Sequence, residues 1–356
     1  SGVNFSNNVN LEEVSGNRNL LNGSGVAIAD IDQDGLQDIY FAALQGRNKL
    51  FRNKGEFQFE DITHSSGLSL DGYQSTGLLF EDLTGNGYPD LISTSLSQGN
   101  HVFINNGAGY FTKVENSGLE NSDGSMSVSL ADVNQDGMLD LYLVNYNKVS
   151  VRDLYTAKEL DPSMILDQGE NGLIIKPPFN QYYVMIETED GMSLNEIGTS
   201  DHLYINKGNG TFQKAEISSF FLDQYGKPLN ELPKDWGLSA SFRDITGNGL
   251  PDLYVANDFW TPDRLWINQG KGVFQLISPS SLKNYSYSSM GVAFSDINRN
   301  GLTDIAVTEM LSTKHSDRLR QHSEYLRNYN GKYLYNRNSV YLNRGDTTFS
   351  QIAHFS

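Results

Sequence analysis

The stretch Asp30-Ile-Asp32-Gln-Asp34-Gly35-Leu36-Gln-Asp38 leads directly into the apolar residues Ile39-Tyr40-Phe41. Oxygen-bearing side chains stand at positions 1, 3, 5 and 9, and glycine stands at position 6. Ca²⁺ binds about six to eight oxygens in a flexible shell, and the glycine turn lets the backbone carbonyl of position 7 join them. An EF-hand would place glutamate at position 12, where this chain has Phe41. The stretch therefore predicts a calcium loop between two strands.

The same nine-residue frame returns four more times, so the chain is a repeat protein. Every copy keeps aspartate at positions 1 and 9 and glycine at position 6. The predicted metal ligands of the five copies are Asp30, Asp32, Asp34, Leu36 and Asp38; Asp82, Thr84, Asn86, Tyr88 and Asp90; Asp132, Asn134, Asp136, Met138 and Asp140; Asp244, Thr246, Asn248, Leu250 and Asp252; and Asp296, Asn298, Asn300, Leu302 and Asp304. Up to five structural Ca²⁺ are expected, and loops with fewer carboxylates should bind calcium more weakly.

A second signature, Asn-x-Gly-x-x-x-Phe, follows every loop. Its copies span residues 53–59, 105–111, 206–212, 268–274 and 343–349. The distance from the first aspartate of the loop to this asparagine is 23 residues in copies one and two and 24 in copy four, but 74 in copy three and 47 in copy five. Copies three and five therefore carry insertions at one equivalent point, at about residues 145–200 and 311–338.

The residue pattern inside copy one indicates four strands, at residues 25–29, 39–44, 48–52 and 57–62. Four antiparallel strands in about 50 residues are typical of a propeller blade. The predicted fold class is all-β, a β-propeller of at least five four-stranded antiparallel blades. The blades cover about residues 25–70, 75–120, 125–237, 238–286 and 289–353, and residues 1–356 are predicted to form one domain.

These residues resemble the FG-GAP/VCBS repeat propellers, which the heads of integrin α-chains also use. The resemblance is closer to bacterial secreted proteins of the cartilage-acidic-protein-like group, which carry such repeats ahead of an ASPIC/UnbV domain. It is carried by Gly25 to Asp32, Asp252 to Asp258, Ser289 to Ala293 and the Asn-x-Gly turns. The resemblance implies about seven blades. Two interpretations follow: the chain is part of a longer propeller, or residues 1–24, with 3–5 as an outer strand, close the ring.

Composition restricts the partners and the location. The chain has 26 Lys and Arg against 43 Asp and Glu, a net charge of −17, which disfavours nucleic acid as a partner. No apolar run approaches the ~18 residues of a transmembrane segment, and the absence of cysteine excludes disulfides. Loops with two carboxylates fill only at about millimolar calcium. An extracellular, periplasmic or outer-surface location is therefore expected, with a lipid anchor upstream of residue 1 left open.

The first insertion is rich in aromatic residues. Tyr182 and Tyr183 lie within it, and Trp260 lies in the equivalent connection of the fourth repeat. Long loops on a rigid scaffold often carry binding function, and aromatic rings beside amides suit a sugar or an extended peptide. The alternative interpretation is that these rings pack the insertion onto the sheets.

The second insertion is basic within an acidic protein. Arg318 and Arg320 are its candidate ligand residues and suggest a docking patch for an anionic glycan or an acidic partner. The alternative is a helix over residues 316–329 with a solvated face.

Three functions compete. The preferred hypothesis is a calcium-stabilised extracellular or cell-surface module for recognition or adhesion, which binds a glycan or protein partner through the face that bears the insertions. A propeller-type polysaccharide lyase acting on uronate chains is the enzyme alternative, with His315, His322, Arg318 and Tyr325 as its candidates. A structural subunit of a cell-surface assembly is the third. No catalytic residue is assigned, because the common hydrolase, nucleotide-binding and metalloprotease motifs are absent from the sequence.

Overall fold

A computed structural model describes residues 1–121, 123–170, 172–188, 191–278, 280–282, 284–312, 314, 327–329 and 332–353. Within them the chain is all-β, built mainly of four-stranded antiparallel sheets that are consistent with a β-propeller, so the predicted fold class is confirmed. The chain divides into two compact units. Unit one comprises Ser1–Asp132, Asp136–Asp153 and His202–Ala215, and unit two comprises Val133–Gln135, Leu154–Asp201 and Glu216–Ser356.

Unit one contains the first three repeat sheets, in which the strands, numbered along the chain, pair in sequence order. Sheet one has β1 (Val26–Ala29), β2 (Asp38–Phe41), β3 (Lys49–Asn53) and β4 (Phe59–Asp61). Sheet two has β5 (Ser75–Glu81), β6 (Asp90–Ser95), β7 (His101–Asn105) and β8 (Phe111–Lys113). Sheet three has β9 (Ser125–Ala131), β10 (Asp140–Asn145), β15 (His202–Asn206) and β16 (Phe212–Lys214).

Unit two contains the fourth and fifth repeat sheets. Sheet four has β18 (Gly237–Arg243), β19 (Asp252–Asn257), β20 (Arg264–Asn268) and β21 (Phe274–Leu276), and a short strand, β17 (Phe221–Leu222), pairs in parallel with β21. Sheet five has β23 (Ser289–Ser295), β24 (Asp304–Glu309), β27 (Ser339–Asn343) and β28 (Phe349–Gln351). The parallel fifth strand of sheet four was not predicted.

The insertions have secondary structure of their own. The first contains two hairpins, β11 (Leu166–Gly169) with β12 (Gly172–Ile175) and β13 (Tyr183–Thr188) with β14 (Gly191–Glu196). Its short helices are α2 (Val151–Leu154), α3 (Pro162–Ile165) and a 3₁₀ turn at Phe179–Gln181, and α4 (Ile217–Phe220) follows sheet three. A separate three-stranded sheet joins β22 (Asn284–Ser286), β26 (Lys332–Tyr335) and β25 (Arg327–Tyr329).

The prediction of a helix over residues 316–329 is wrong for residues 327–329, the part of this range that the structure describes. Arg327–Tyr329 is strand β25, because its backbone pairs antiparallel with β26, whose other edge pairs with β22. The rest of the predicted helix lies outside the described residues.

The N-terminal segment forms no strand over residues 1–10, so the outer strand expected at residues 3–5 is absent. The segment is nevertheless attached to sheet one, because the backbone N–H of Phe59 donates to the Ser1 carbonyl at 2.8 Å and the ring of Phe5 stacks on Phe41. A helix, α1 (Leu11–Gly16), and a 3₁₀ turn at Arg18–Asn22 follow.

Within each unit, the cores lie between consecutive sheets. Between sheets one and two, Ile31, Tyr40 and Leu50 pack with Phe80 and Leu91, all of them buried. Ile31 is position 2 of the first loop, and its counterparts Leu83 and Ile245 are also buried in such cores. Loop position 2 therefore anchors the metal-loop end of each of these sheets in apolar packing.

In every repeat sheet the predicted calcium loop joins the first strand to the second, whereas the second and third strands are joined at the opposite end of the sheet. Both insertions follow the second strand, between β10 and β15 and between β24 and β27. In sheets three and five, the predicted calcium loop and the start of the insertion are therefore about one strand length apart.

Candidate calcium loops and the insertion surface

Loop one (Asp30–Asp38) already has a closed shape that gathers its carboxylates. Asp30 accepts the backbone N–H groups of Asp34 and Gly35, at 3.1 and 2.9 Å, and Asp34 accepts that of Leu36 at 2.9 Å. One ligand atom each from Asp30, Asp32 and Asp38 lies within 4.8 Å of the other two. The negative charges repel one another at such distances, and a cation among them would offset this repulsion.

Asp32 is the residue of loop one whose contacts favour a cation most directly. Its Oδ2 atom pairs with Nη2 of Arg52 at 3.0 Å, but its Oδ1 atom is buried and has no hydrogen-bond partner. A buried carboxylate oxygen without a donor is costly, and calcium prefers carboxylate and carbonyl oxygens. The residues of loop one therefore fit a calcium ion.

Asp38, at position 9, is fully buried. Its Oδ1 atom accepts the backbone N–H of Asn53 at 2.8 Å, and its Oδ2 atom accepts that of Ile31 at 3.1 Å. Burial raises the pKa of Asp38, the nearby charges of Asp32 and Asp34 raise it further, and the two hydrogen bonds oppose the shift. A cation beside this carboxylate would favour its charged form.

The other loops share this frame. In each, the position 1 carboxylate accepts the N–H groups of positions 5 and 6, and the position 5 side chain accepts the N–H of position 7. The position 1 bonds run to Asp82, Asp132, Asp244 and Asp296 at 2.7–3.1 Å. The position 5 bonds run to Asn86, Asp136, Asn248 and Asn300 at 2.8–2.9 Å. Burial also raises the pKa of the position 9 residues Asp90 and Asp252.

The asparagine of the second signature is hydrogen-bonded to the loop that precedes it. Its backbone N–H donates to Oδ1 of the position 9 aspartate in all five repeats, from Asn53, Asn105, Asn206, Asn268 and Asn343, at 2.7–3.0 Å. Its own Oδ1 accepts the N–H of the glycine two residues on, which explains the Asn-x-Gly spacing. The two sequence signatures are therefore one structural element.

The same asparagine also connects consecutive sheets. The Nδ2 atom of Asn105 donates to the Ile31 carbonyl at 2.8 Å, and that of Asn343 donates to the Ile245 carbonyl at 2.8 Å. In both cases the acceptor is position 2 of the preceding loop. Loops one and four are thus each fixed by their own repeat and by the next one.

At the opposite end of the sheets, a residue just before the third strand caps the connection from the second strand. Side-chain Oδ1 atoms of Asn48, Asn100, Asp263 and Asn338 accept backbone N–H groups of Ala43, Ser95, Asn257 and Glu309, at 2.8–3.0 Å. Asn48 also donates to Ser75 Oγ at 3.0 Å, and Ser289 Oγ donates to Asp263 Oδ2 at 2.9 Å. Each of these serines opens the first strand of the next sheet, so this cap is a second link between sheets.

In the first insertion, three sequence-predicted ligand residues come together around Glu196. The indole N–H of Trp260 donates to the Glu196 carbonyl at 2.8 Å, Tyr183 pairs with Glu196 across the hairpin, and the Tyr182 carbonyl accepts the N–H of Ile197 at 2.8 Å. The indole N–H of Trp236 donates to the same Glu196 carbonyl at 3.1 Å. All three predicted residues are half-buried.

Apolar side chains are exposed farther out on this insertion. Leu173 and Ile174 on β12 are 53% and 52% exposed, and Met164 and Met192 are exposed to a similar degree. Elsewhere in unit two, Asp235 and Arg264 form a largely buried bidentate ion pair with N–O distances of 2.7 and 2.9 Å. The insertion therefore has hydrogen bonds at Glu196 and exposed apolar side chains on α3, β12 and β14.

A family model described as FG-GAP-like repeat matches residues 30–93, 82–143 and 244–307, which together are half of the chain. The chain belongs to the FG-GAP-like repeat family. Each match begins at position 1 of a predicted calcium loop. The narrower resemblance to ASPIC/UnbV-associated proteins stays a prediction.

Two solved structures that resemble the FG-GAP-like chain share little sequence identity with it. A lectin of Agrocybe aegerita, described as recognising non-reducing terminal N-acetylglucosamine, is 17% identical, with 92% of this chain and 78% of the lectin covered and a TM-score of 0.35. BBS1N in complex with ARL6DN, soaked with lead, is 12% identical, with 80% and 75% covered and a TM-score of 0.34. No curated protein matches the chain. In the described part, no helix has the length and apolar character needed to cross a membrane.

Several residues that organise the FG-GAP-like repeats were missed in the sequence. The cap residues Asn48, Asn100 and Asp263 could have been found, because an Asn or Asp stands just before the third strand in each repeat. Trp236 and Glu196 carry no such repeated signal. The patch residues Arg318 and Arg320, and the lyase candidates His315, His322 and Tyr325, lie outside the described residues.

Proposed function

We propose that this chain is a calcium-stabilised recognition module of the extracellular or cell-surface type. It binds a glycan or protein partner through the insertion end of its sheets. The observation that carries the proposal is the separation within sheets three and five, where the predicted calcium loop lies at one end and the inserted residues follow the other. FG-GAP repeats are typical of extracellular proteins and commonly bind calcium.

The proposed role of calcium is structural. In loop one, a cation among Asp30, Asp32 and Asp38 would neutralise carboxylates that lie close together and would contact the unpartnered Oδ1 of Asp32. The loop is also hydrogen-bonded to the next sheet through Asn105. Filling the loop would therefore stabilise the packing of sheet one against sheet two.

The proposed role of the first insertion is recognition. The indole N–H groups of Trp236 and Trp260 both donate to the Glu196 carbonyl and attach the second hairpin of the insertion to sheet four. Exposed apolar residues on an insertion attached in this way are typical of interaction sites. Leu173, Ile174 and Met192 supply apolar contact area there.

The test is a binding screen of the calcium-loaded chain on glycan, polyanion and extracellular-protein arrays. The double variant Leu173→Ser/Ile174→Ser changes the exposed part of the insertion. Phe57→Ser is the matched control, because Phe57 is 85% exposed in unit one and lies outside the insertions. We expect a loss of at least tenfold in affinity for the double variant and no change for the control. Equal binding by wild type and the double variant would contradict the proposed surface.

A further inference from the structure

Position 3 distinguishes loops two (Asp82–Asp90) and four (Asp244–Asp252) from loop one. Both have threonine there, and its hydroxyl is turned onto the position 9 carboxylate. Thr246 Oγ1 donates to Asp252 Oδ2 at 3.2 Å, and Thr84 Oγ1 donates to Asp90 Oδ2 at 3.4 Å. The side chain that would offer an oxygen to a metal therefore donates a hydrogen bond to another predicted ligand.

In loop four the carboxylates are already well supplied with donors. Asp252 accepts four: the N–H groups of Ile245, Thr246 and Asn268, at 2.9–3.0 Å, and the Thr246 hydroxyl. A carboxylate has about four lone-pair sites. Asp244 accepts the backbone N–H groups of Gly247, Asn248 and Gly249. The Oδ1 atom of Asn248 accepts the N–H of Leu250. Every side-chain oxygen at positions 1, 3, 5 and 9 thus takes part in a hydrogen bond.

Loop two has the same arrangement. Asp82 accepts the N–H groups of Thr84, Gly85, Asn86 and Gly87, at 2.7–3.3 Å. Asp90 accepts those of Leu83 and Asn105 in addition to the Thr84 hydroxyl. A cation that binds the position 9 oxygen facing the threonine would have to compete with its hydroxyl for that oxygen.

Loop one differs in the two respects that matter for a cation. Asp38 accepts two backbone donors and no hydroxyl, and Asp32 at position 3 adds a carboxylate with one unpartnered buried oxygen. Among the described residues, only loop one brings three acidic groups within 4.8 Å of one another. The position 9 carboxylate of loop one therefore accepts fewer hydrogen bonds than the position 9 carboxylates of loops two and four.

We propose that the threonine hydroxyl closes loops two and four in place of a cation, so that calcium binds in loop one and not in these two. This inference rests on the calcium binding in the proposed function. It separates the loops by the chemistry of position 3 rather than by carboxylate count, since loop five also has two carboxylates but carries Asn298 at that position.

The first test counts bound calcium by native mass spectrometry in wild type, Thr84→Asp and Thr246→Asp, with Thr246→Ser as the control that keeps the hydroxyl. We expect at most three ions in wild type and in Thr246→Ser, and one additional ion in each aspartate variant. Four or more ions in wild type, or no additional ion in the aspartate variants, would overturn the inference.

A thermal measurement supplies a second readout. Thr246→Val removes the hydroxyl and keeps the shape, so we expect it to lower the melting temperature equally in calcium and in EDTA. A decrease seen in calcium but absent in EDTA would show that Thr246 serves a bound ion, against the inference. If wild type binds no calcium at all, the calcium part of the proposed function fails while the closed state of loops two and four stands. If all five loops fill, the inference fails and calcium stabilisation stands.

Discussion

The side-chain amide of Asn105 donates a hydrogen bond to the backbone carbonyl of Ile31, 2.8 Å away, and thereby joins sheet two to the predicted calcium loop of sheet one. The same amide donates to Pro89 in its own repeat at 3.1 Å. One buried side chain therefore holds together two consecutive FG-GAP-like repeats, and its contribution can be measured.

Asn105→Ala should destabilise the protein by about 2–4 kcal/mol, because it leaves buried carbonyls of both sheets without a donor. Asn53→Ala is the matched control. Asn53 holds its own loop through Gln37 in the same way, but no bond to a preceding sheet is seen for it within the described residues. We expect the control to cost about 1 kcal/mol in chemical unfolding. Equal losses for the two variants would contradict the proposed link between sheets.

Gly118→Ala should be far more destabilising than Gly46→Ala. Both glycines have a positive φ, of 91° and 86°, so either substitution costs about 1–2 kcal/mol in backbone strain. A Cβ at Gly118 would also lie 2.0 Å from the Phe212 carbonyl oxygen, whereas a Cβ at Gly46 would meet no atom within 4 Å. Similar melting temperatures for the two variants would show that the close approach at Gly118 is unimportant.

Glu309 should make stability depend on pH. Its side chain is 8% exposed, and burial, assisted by the charges of Asp263 and Asp258, raises the pKa of its carboxyl to about 8. Between the ordinary value of 4.5 and this raised value, the folded protein keeps a proton that the unfolded chain has lost. The contribution of this carboxyl to stability is therefore complete below pH 4.5 and is lost as the pH rises through about 8.

Glu309→Gln removes this titration. Relative to wild type, the variant should gain stability as the pH is raised from 5 to 8.5, at up to ~1.4 kcal/mol for each pH unit. Parallel melting curves across this range would be measured for the exposed Glu60→Gln as a control. A constant difference between Glu309→Gln and wild type would rule out the raised pKa.

The repeat architecture could be predicted well because the repeats are local in sequence. Strands expected at residues 25–29 and 39–44 are found at Val26–Ala29 and Asp38–Phe41, and the insertions lie where the spacing between the two signatures lengthens. Glycine and aspartate at fixed positions determine the loop, and alternating apolar residues determine the strands. These features need no knowledge of distant contacts.

Contacts between repeats could not be predicted in the same way. Nothing in the Asn-x-Gly pattern shows that Asn105 reaches Ile31, 74 residues earlier, or that Trp236 and Trp260 share the Glu196 carbonyl. Strand β25 was missed because its partner β26 is itself held by a distant strand, β22. Such elements depend on tertiary pairing more than on local propensity.

The most direct test of the account is the melting temperature of wild type and Asp32→Asn, each in calcium and in EDTA. Calcium at one hundred times its Kd stabilises the folded state by about 2.7 kcal/mol for each site. We expect chelation to lower the melting temperature of wild type by several degrees and to lower that of Asp32→Asn less, because the variant loses one carboxylate ligand of loop one while the other loops are unchanged. An unchanged melting curve for wild type in EDTA would contradict calcium stabilisation.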